Sequence, residues 1–248
     1  MEPATRIQFG RDLAARLRDR YGAVILLFGM LGSSARGEAT EWSDVDLLAV
    51  TTDATIASRT LIYQGAPVVL HVISEADLTA ALRKPGLSWP YWMGVLAEVR
   101  PLLGDRAAVA RWQALGTELD DTEFQQAVEP LLPELVFESY GRIRSSAARN
   151  NRRDAAHAAV EVIYELRTAL CLLNRRYVTR DYFAGIEQTF AFRLQPDDYP
   201  TLVTQLWDAH ELEAIVPPAG KLMAAYWRLL AACGLNIPNY QRVNDLPL

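Results

Sequence analysis

Apolar and polar positions recur at two different periods along this chain. Between residues 4 and 20 apolar side chains fall at Ile7, Leu13 and Leu17 with charges between them, the spacing of an amphipathic helix. Three unbroken apolar runs follow: AVILLFGM (23–30), VDLLAVTT (45–52) and APVVLHVI (66–73). Each is short enough to be a buried strand, and the turn pair Gln64-Gly65 introduces the third. Ser74 with Asp77 three positions on predicts a capped helix through Leu82, ended by Lys84-Pro85-Gly86. From there the pattern is helical throughout. Helices are expected over Trp89–Glu98 and Arg106–Leu119, then from near Thr122 with interruptions at Pro130 and Pro133. PELVFESYGRIRSSAARN and Asp154–Asn174 continue the series, followed by a helix capped at Thr179 and two more around 197–213 and 217–233. The tail GLNIPNYQRVNDLPL has little periodicity and reads as an extended arm.

Strands first and helices after predict an α+β chain. A small mixed or antiparallel sheet domain is expected over 1–120 and an all-α helix bundle over 121–248. Composition fits ordinary globular protein, with 50% apolar and 22% charged residues. The formal charge of −5 argues against a general nucleic-acid surface but leaves room for a local basic pocket. Lysine occurs only at Lys84 and Lys221, so nearly all the cations are arginine. Cys171 and Cys233 lie in apolar contexts and read as free thiols rather than a disulfide. No apolar run reaches the roughly 18 residues of a membrane span. The segment MEPATRIQFGRD lacks a signal-peptide pattern, so a cytoplasmic soluble protein is the expectation. No Walker loop, His-Glu-x-x-His, Cys-x-x-Cys or Gly-x-Ser-x-Gly motif occurs.

Candidate chemistry concentrates in GMLGSSARGEATEWSDVDLLAV, residues 29–50. Side chains two apart on a strand share a face, so Asp44 and Asp46 project together while Val45, Leu47 and Ala49 turn into the core. Paired carboxylates repel each other, and a divalent cation relieves the conflict; hard oxygen ligands of this kind suit Mg²⁺. Gly32-Ser33 supplies a turn where backbone can approach a ligand and where N–H groups face an anion. The Ser33 hydroxyl can donate to a phosphate, and Arg36 adds a charge-assisted donor if a helical turn follows. One end of the motif thus reads as a phosphate site and the other as a metal site. The competing reading is a surface turn followed by a strand with exposed acids.

Gly-Ser, a short loop and Asp-x-Asp together resemble the nucleotidyltransferases of the DNA polymerase β superfamily, and within it the kanamycin (aminoglycoside) nucleotidyltransferase group. WPYWMGVLAEVRPLLGD, PELVFESYGRIR and RRYVTRDYFAGIEQTF resemble further segments of that group. The resemblance implies a nucleotidyltransferase domain followed by a helical domain, with the site lying between subunits of a homodimer. It implies Asp44 and Asp46 as catalytic residues holding Mg²⁺. It implies Gly32, Ser33, Arg36 and Arg142 around the nucleotide, and Glu138 as general base for the acceptor hydroxyl. Read from the residues alone, Glu138 and Arg142 share a helix face at i, i+4 and equally describe a surface ion pair.

Two departures from the family pattern stand out. The superfamily carries a third carboxylate on the strand after Asp-x-Asp, and here that strand is Val68-Val69-Leu70-His71-Val72-Ile73. His71 is a possible site residue or a core histidine, and Glu138 could replace the missing acid. The strip TTDATIASRTLIYQGAP, which is rich in Glu in the kanamycin group, holds Asp53 as its only acid and Arg59 as a base. It suits a polycationic acceptor poorly, although Glu38, Glu41, Glu134 and Glu138 could form a smaller acidic wall. Tyr63, Trp89, Tyr91 and Trp92 could stack on an acceptor or belong to the core. Arg152 and His157 resemble a pair used for RNA cleavage in related helical domains. Two functions follow. One is an enzyme transferring a nucleoside monophosphate from an NTP to a hydroxyl of an aminoglycoside or other acceptor. The other is a catalytically weakened nucleotide-binding sensor or antitoxin-like module.

Overall fold

The computed structural model describes residues 1–235 and 241–245. The first half of the chain runs α1 (Arg6–Tyr21), β1 (Ile25–Met30), α2 (Gly32–Arg36), β2 (Val45–Thr51), β3 (Arg59–Tyr63), β4 (Ala66–Ser74), α3 (Glu75–Arg83), α4 (Trp89–Glu98), β5 (Arg100–Gly104) and α5 (Arg106–Leu115). Helices then follow without further strands among the described residues: α6 (Asp121–Val128), α7 (Glu134–Ala148), α8 (Arg152–Leu173), α9 (Tyr182–Thr189), α10 (Tyr199–Trp207) and α11 (Leu212–Ala232). The strands form one mixed sheet in the order β3-β4-β2-β1-β5. Strand β1 is antiparallel to β2 and β5, β2 runs parallel to β4, and β3 is antiparallel to β4. The fold is α+β.

By its contacts the chain forms two compact units, Met1–Ala127 with Tyr177–Arg180, and Val128–Arg176 with Asp181–Leu248. In the first, Val45, Leu47 and Ala49 join Phe28, Met30 and Ala14 in a buried cluster. Leu48 and Val50 are buried as well, so β2 is covered on both faces, as its unbroken apolar run requires. Helix α1 buries Arg6, Gly10 and Ala14, with Ile7, Leu13 and Leu17 partly buried beside them. A Cβ at Gly10 would lie 2.7 Å from Leu102 and 3.1 Å from Met30, so glycine lets the helix sit close to the sheet. In the second unit the buried Tyr226 hydroxyl donates to the Leu132 carbonyl at 2.6 Å.

The Ser74 cap forms as the sequence predicts: Asp77 N–H donates to Ser74 Oγ at 3.1 Å, and the serine hydroxyl donates to Asp77 Oδ2 at 2.6 Å. Strands β3 and β5 are additions to the sequence reading. All five residues of β3 are exposed, so it lacks the alternation that marks a half-buried strand. The helix expected through Leu119 ends at Leu115, where Gly116 and Thr117 form a turn back to α5. Helix α9 takes Asp181, not Thr179, as its N-cap residue. Cys171 is buried, Cys233 is half-buried, and no disulfide joins them. The arm expected over 234–248 falls partly outside the described residues. No helix among the described residues is long and apolar enough to cross a membrane.

Candidate active site

Strand β1 ends at Met30, and the chain turns at Leu31-Gly32 into α2. Gly32 has φ +61, and a Cβ there would stand 3.0 Å from Asp46 Oδ2. Glycine is therefore needed both for the backbone conformation and for the carboxylate lying against it. The Leu31 N–H donates to the Asp46 carbonyl at 2.9 Å, which fixes the start of β2 beside the Gly-Ser turn. The two ends of the motif are thus neighbours in space. Asp46 is half-buried on β2, and Asp44 is exposed in the loop just before the strand.

Ser33 is half-buried, and its hydroxyl makes no hydrogen bond among the described residues. Ser34 is buried and donates to the Asp44 carbonyl at 3.4 Å. Arg36 is held from two sides. Its Nε donates to Glu38 Oε2 at 2.8 Å, and its Nη1 donates to both Glu98 oxygens at 2.9 and 2.8 Å. Glu38 in turn accepts from Arg180 Nη2 at 2.8 Å and from Arg180 Nη1. Hydrogen bonds from Arg180 first, and then from Arg36, lower the Glu38 carboxyl to about 2. Two arginines and two carboxylates thus make a neutral cluster beside the turn, and Nη2 of Arg36 stays outside these bonds.

On β4 the residue paired with Asp46 is Val69, and His71 pairs with Leu48 one step further along the same face. An apolar side chain therefore stands beside Asp46. Among the described residues no three His, Cys, Asp or Glu side chains converge as a metal site. The candidate donors are the carboxylates of Asp44 and Asp46. They fit Mg²⁺, a hard cation that keeps several waters and is usually bound through one or two carboxylates plus substrate phosphates.

Glu138 and Arg142 lie on α7 in the second unit, and Arg142 Nη2 donates to Glu138 Oε1 at 2.7 Å. Arg142 Nη1 also donates to Glu161 Oε2 on α8 at 3.0 Å. Glu161 first, then Glu138, raise the already high pKa of this guanidinium. Next to them Ser139 donates to Glu165 Oε1 at 2.8 Å, while Glu165 Oε2 is buried without a partner. Burial pushes the Glu165 carboxyl up. Arg152 pairs with Glu211, and His157 stands 3.5 Å from Glu161, so each has its own partner. Trp89 is buried, with its indole N–H bonded to the Gly116 carbonyl, and Tyr63 stacks on Phe9.

Four residues of interest escaped the sequence reading: Arg6, Glu98, Arg180 and Trp42. Trp42 is 85% exposed, two residues before Asp44. Arg6 has the one usable signal. It lies on the Arg6–Gly10–Ala14 stripe of α1, where an arginine is out of place unless something inside needs it.

Residues 11–75 match the nucleotidyltransferase domain family. The matched stretch runs from α1 to the start of α3 and contains Gly32, Ser33, Arg36, Asp44, Asp46 and His71. In fold, the chain is similar to the crystal structure of a nucleotidyltransferase-like protein from Exiguobacterium sibiricum. The TM-score is 0.52 at 17% identity, over 91% of this chain and 75% of that one. No curated protein matches the chain.

Proposed function

We propose that this protein is a Mg²⁺-dependent nucleotidyltransferase that moves a nucleoside monophosphate from an NTP to an acceptor hydroxyl and releases pyrophosphate. The observation that carries the reading is the packing of the Asp46 carboxylate against Gly32, which joins a Gly-Ser turn to a carboxylate pair. Asp44 and Asp46 would hold the metal, whose charge offsets that of the triphosphate. Gly32 lets the phosphates approach the backbone, and the Ser33 hydroxyl donates to them. Arg36 contributes Nη2, its other nitrogens being anchored by Glu38 and Glu98. Glu138 takes the proton of the attacking hydroxyl, and Arg142, which holds Glu138, also binds the nucleotide.

Resemblance to the kanamycin group makes aminoglycosides the first acceptor class to try, with other small hydroxyl compounds and protein side chains after them. The same resemblance suggests a homodimer. The test is incubation with labelled ATP and the other NTPs, Mg²⁺ and an acceptor panel, with pyrophosphate followed. Acceptor-dependent release that falls at least about a hundredfold in Asp44→Asn is expected. Tight NTP binding with no release on any acceptor would count against transfer.

A further inference from the structure

Among the described residues Arg6 is the only charged side chain that is fully buried, at 1% exposure. Its guanidinium has only neutral acceptors. Nη1 donates to the Asp44 carbonyl at 2.7 Å and to Ser34 Oγ at 3.4 Å. Nη2 donates to the Thr40 carbonyl at 2.8 Å and to the Met1 carbonyl at 3.4 Å. Nε is buried without a partner. A buried cation lacking a carboxylate partner costs free energy, and an apolar side chain would fill this stripe of α1 at lower cost. Some other advantage must retain it.

The fork grips both ends of one loop. Thr40 and Asp44 bracket it, and Ser43 closes it from within: the Thr40 N–H donates to Ser43 Oγ at 2.9 Å, and the Ser43 N–H donates to the Thr40 carbonyl at 3.2 Å. Through Ser34 the same guanidinium also touches α2, the helix that carries Ser33 and Arg36. A single planar group thus fixes the backbone of Asp44 relative to the phosphate turn. It also places a fixed positive charge within one residue's covalent reach of the Asp44 carboxylate. Arg6 lies before the residues that match the family model.

We propose that Arg6 is a positioning residue for Asp44: its fork holds the 40–44 loop so that Asp44 and Asp46 present a preformed metal site. The inference rests on the reading of Asp44 as a metal ligand. A lysine keeps the charge but cannot reproduce the fork, so Arg6→Lys separates geometry from charge.

The test is binding of Mn²⁺ together with the non-hydrolysable analogue α,β-methylene-ATP, read from the free Mn²⁺ resonance, alongside circular dichroism and melting. Arg6→Lys is expected to fold and to weaken Mn²⁺ about tenfold, as loss of a group supporting a ligand typically does. Ser43→Ala, which loosens the same loop without touching Arg6, should shift Mn²⁺ in the same direction, and it stands in if Arg6→Lys fails to fold. Where transfer is measurable, the Mg²⁺ needed for half-maximal rate should rise in step. Asp44→Asn is the control. If it abolishes Mn²⁺ binding while Arg6→Lys and Ser43→Ala leave it intact, Arg6 merely supports the fold and the proposal falls. If Asp44→Asn itself binds Mn²⁺ like the wild type, Asp44 is no ligand and the metal-site reading falls first.

Discussion

Gly32 joins the two ends of the site, so its replacement tests their adjacency directly. In Gly32→Ala the new methyl would meet Asp46 Oδ2 at 3.0 Å, at a φ of +61 that an L-residue rarely adopts. The backbone alone should cost about 1–2 kcal/mol, read in urea unfolding, and displacement of the carboxylate should weaken Mn²⁺ binding as well. If only stability changes, Asp46 does not depend on the turn. Glu38 gives a pH signature. Arg180 and Arg36 hold its carboxyl down at about 2, from an ordinary 4.5. A depressed acid contributes stability above its unfolded pKa and loses it as pH falls toward the folded value. The melting-temperature difference between wild type and Glu38→Gln should therefore be positive and constant above about pH 5. It should shrink between pH 4.5 and about 2, and a difference that is flat across this range would remove the Arg180 and Arg36 pairs as its source. Gly32, Ser33, Asp44 and Asp46 could be singled out from the sequence as a candidate site because their chemistry lies within one short stretch. Glu98 is 62 positions from Arg36, and Arg6 acts on carbonyls, which every residue carries. Glu98 carries no sequence mark, and Arg6 shows only as a charge on the otherwise small and apolar buried stripe of α1.

At the scale of elements, hydrophobic period marked the segments whose burial is regular. The runs at β1 and β2 and the helices α1, α4 and α8 fall close to their predicted spans because each buries a run or stripe, and β4 does too although only its Ala66 and Val68 are fully buried. Strand β3 at the sheet edge and the five-residue β5 bury no such run, and only pairing with β4 and β1 reveals them. Between α7 and α8 the pattern carries polar residues where the helices meet. Ser139 is buried and donates to Glu165, whose second oxygen has no partner. Burial raises the Glu165 carboxyl, opposed by the Ser139 bond. A raised acid favours folding while it is protonated and costs stability once pH rises past its unfolded pKa. Glu165→Gln retains an oxygen for Ser139 and removes the charge, so its melting temperature should exceed that of the wild type at pH 7.5. The gain should vanish below about pH 4, where the wild-type side chain is neutral too. A loss of stability at neutral pH would instead mean that the carboxylate has a cationic partner there.

For the molecule as a whole, the match to the nucleotidyltransferase family ends at residue 75, whereas the likeness in fold extends over most of the chain. The proposed metal-binding pair, Asp44 and Asp46, belongs to one compact unit and the proposed base, Glu138, to the other. If the site lies between subunits of a homodimer, as proposed from the resemblance to the kanamycin group, a consequence can be measured without a structure of the complex. Asp44→Asn and Glu138→Gln should each be inactive as homodimers. Unfolded together and refolded as a mixture, they would give heterodimers in half of the population, each with one site built from an intact Asp44 and an intact Glu138. Activity should then recover to about a quarter of the wild-type value, one working site in two across half of the dimers. If each subunit completes its own site, every site in the mixture carries one defect and no activity returns. Sedimentation of the unmixed protein supplies the companion reading, because a monomer at assay concentration could not complement at all. Recovery would therefore establish three points together: a dimer, a catalytic role for both residues, and a site that spans the subunits.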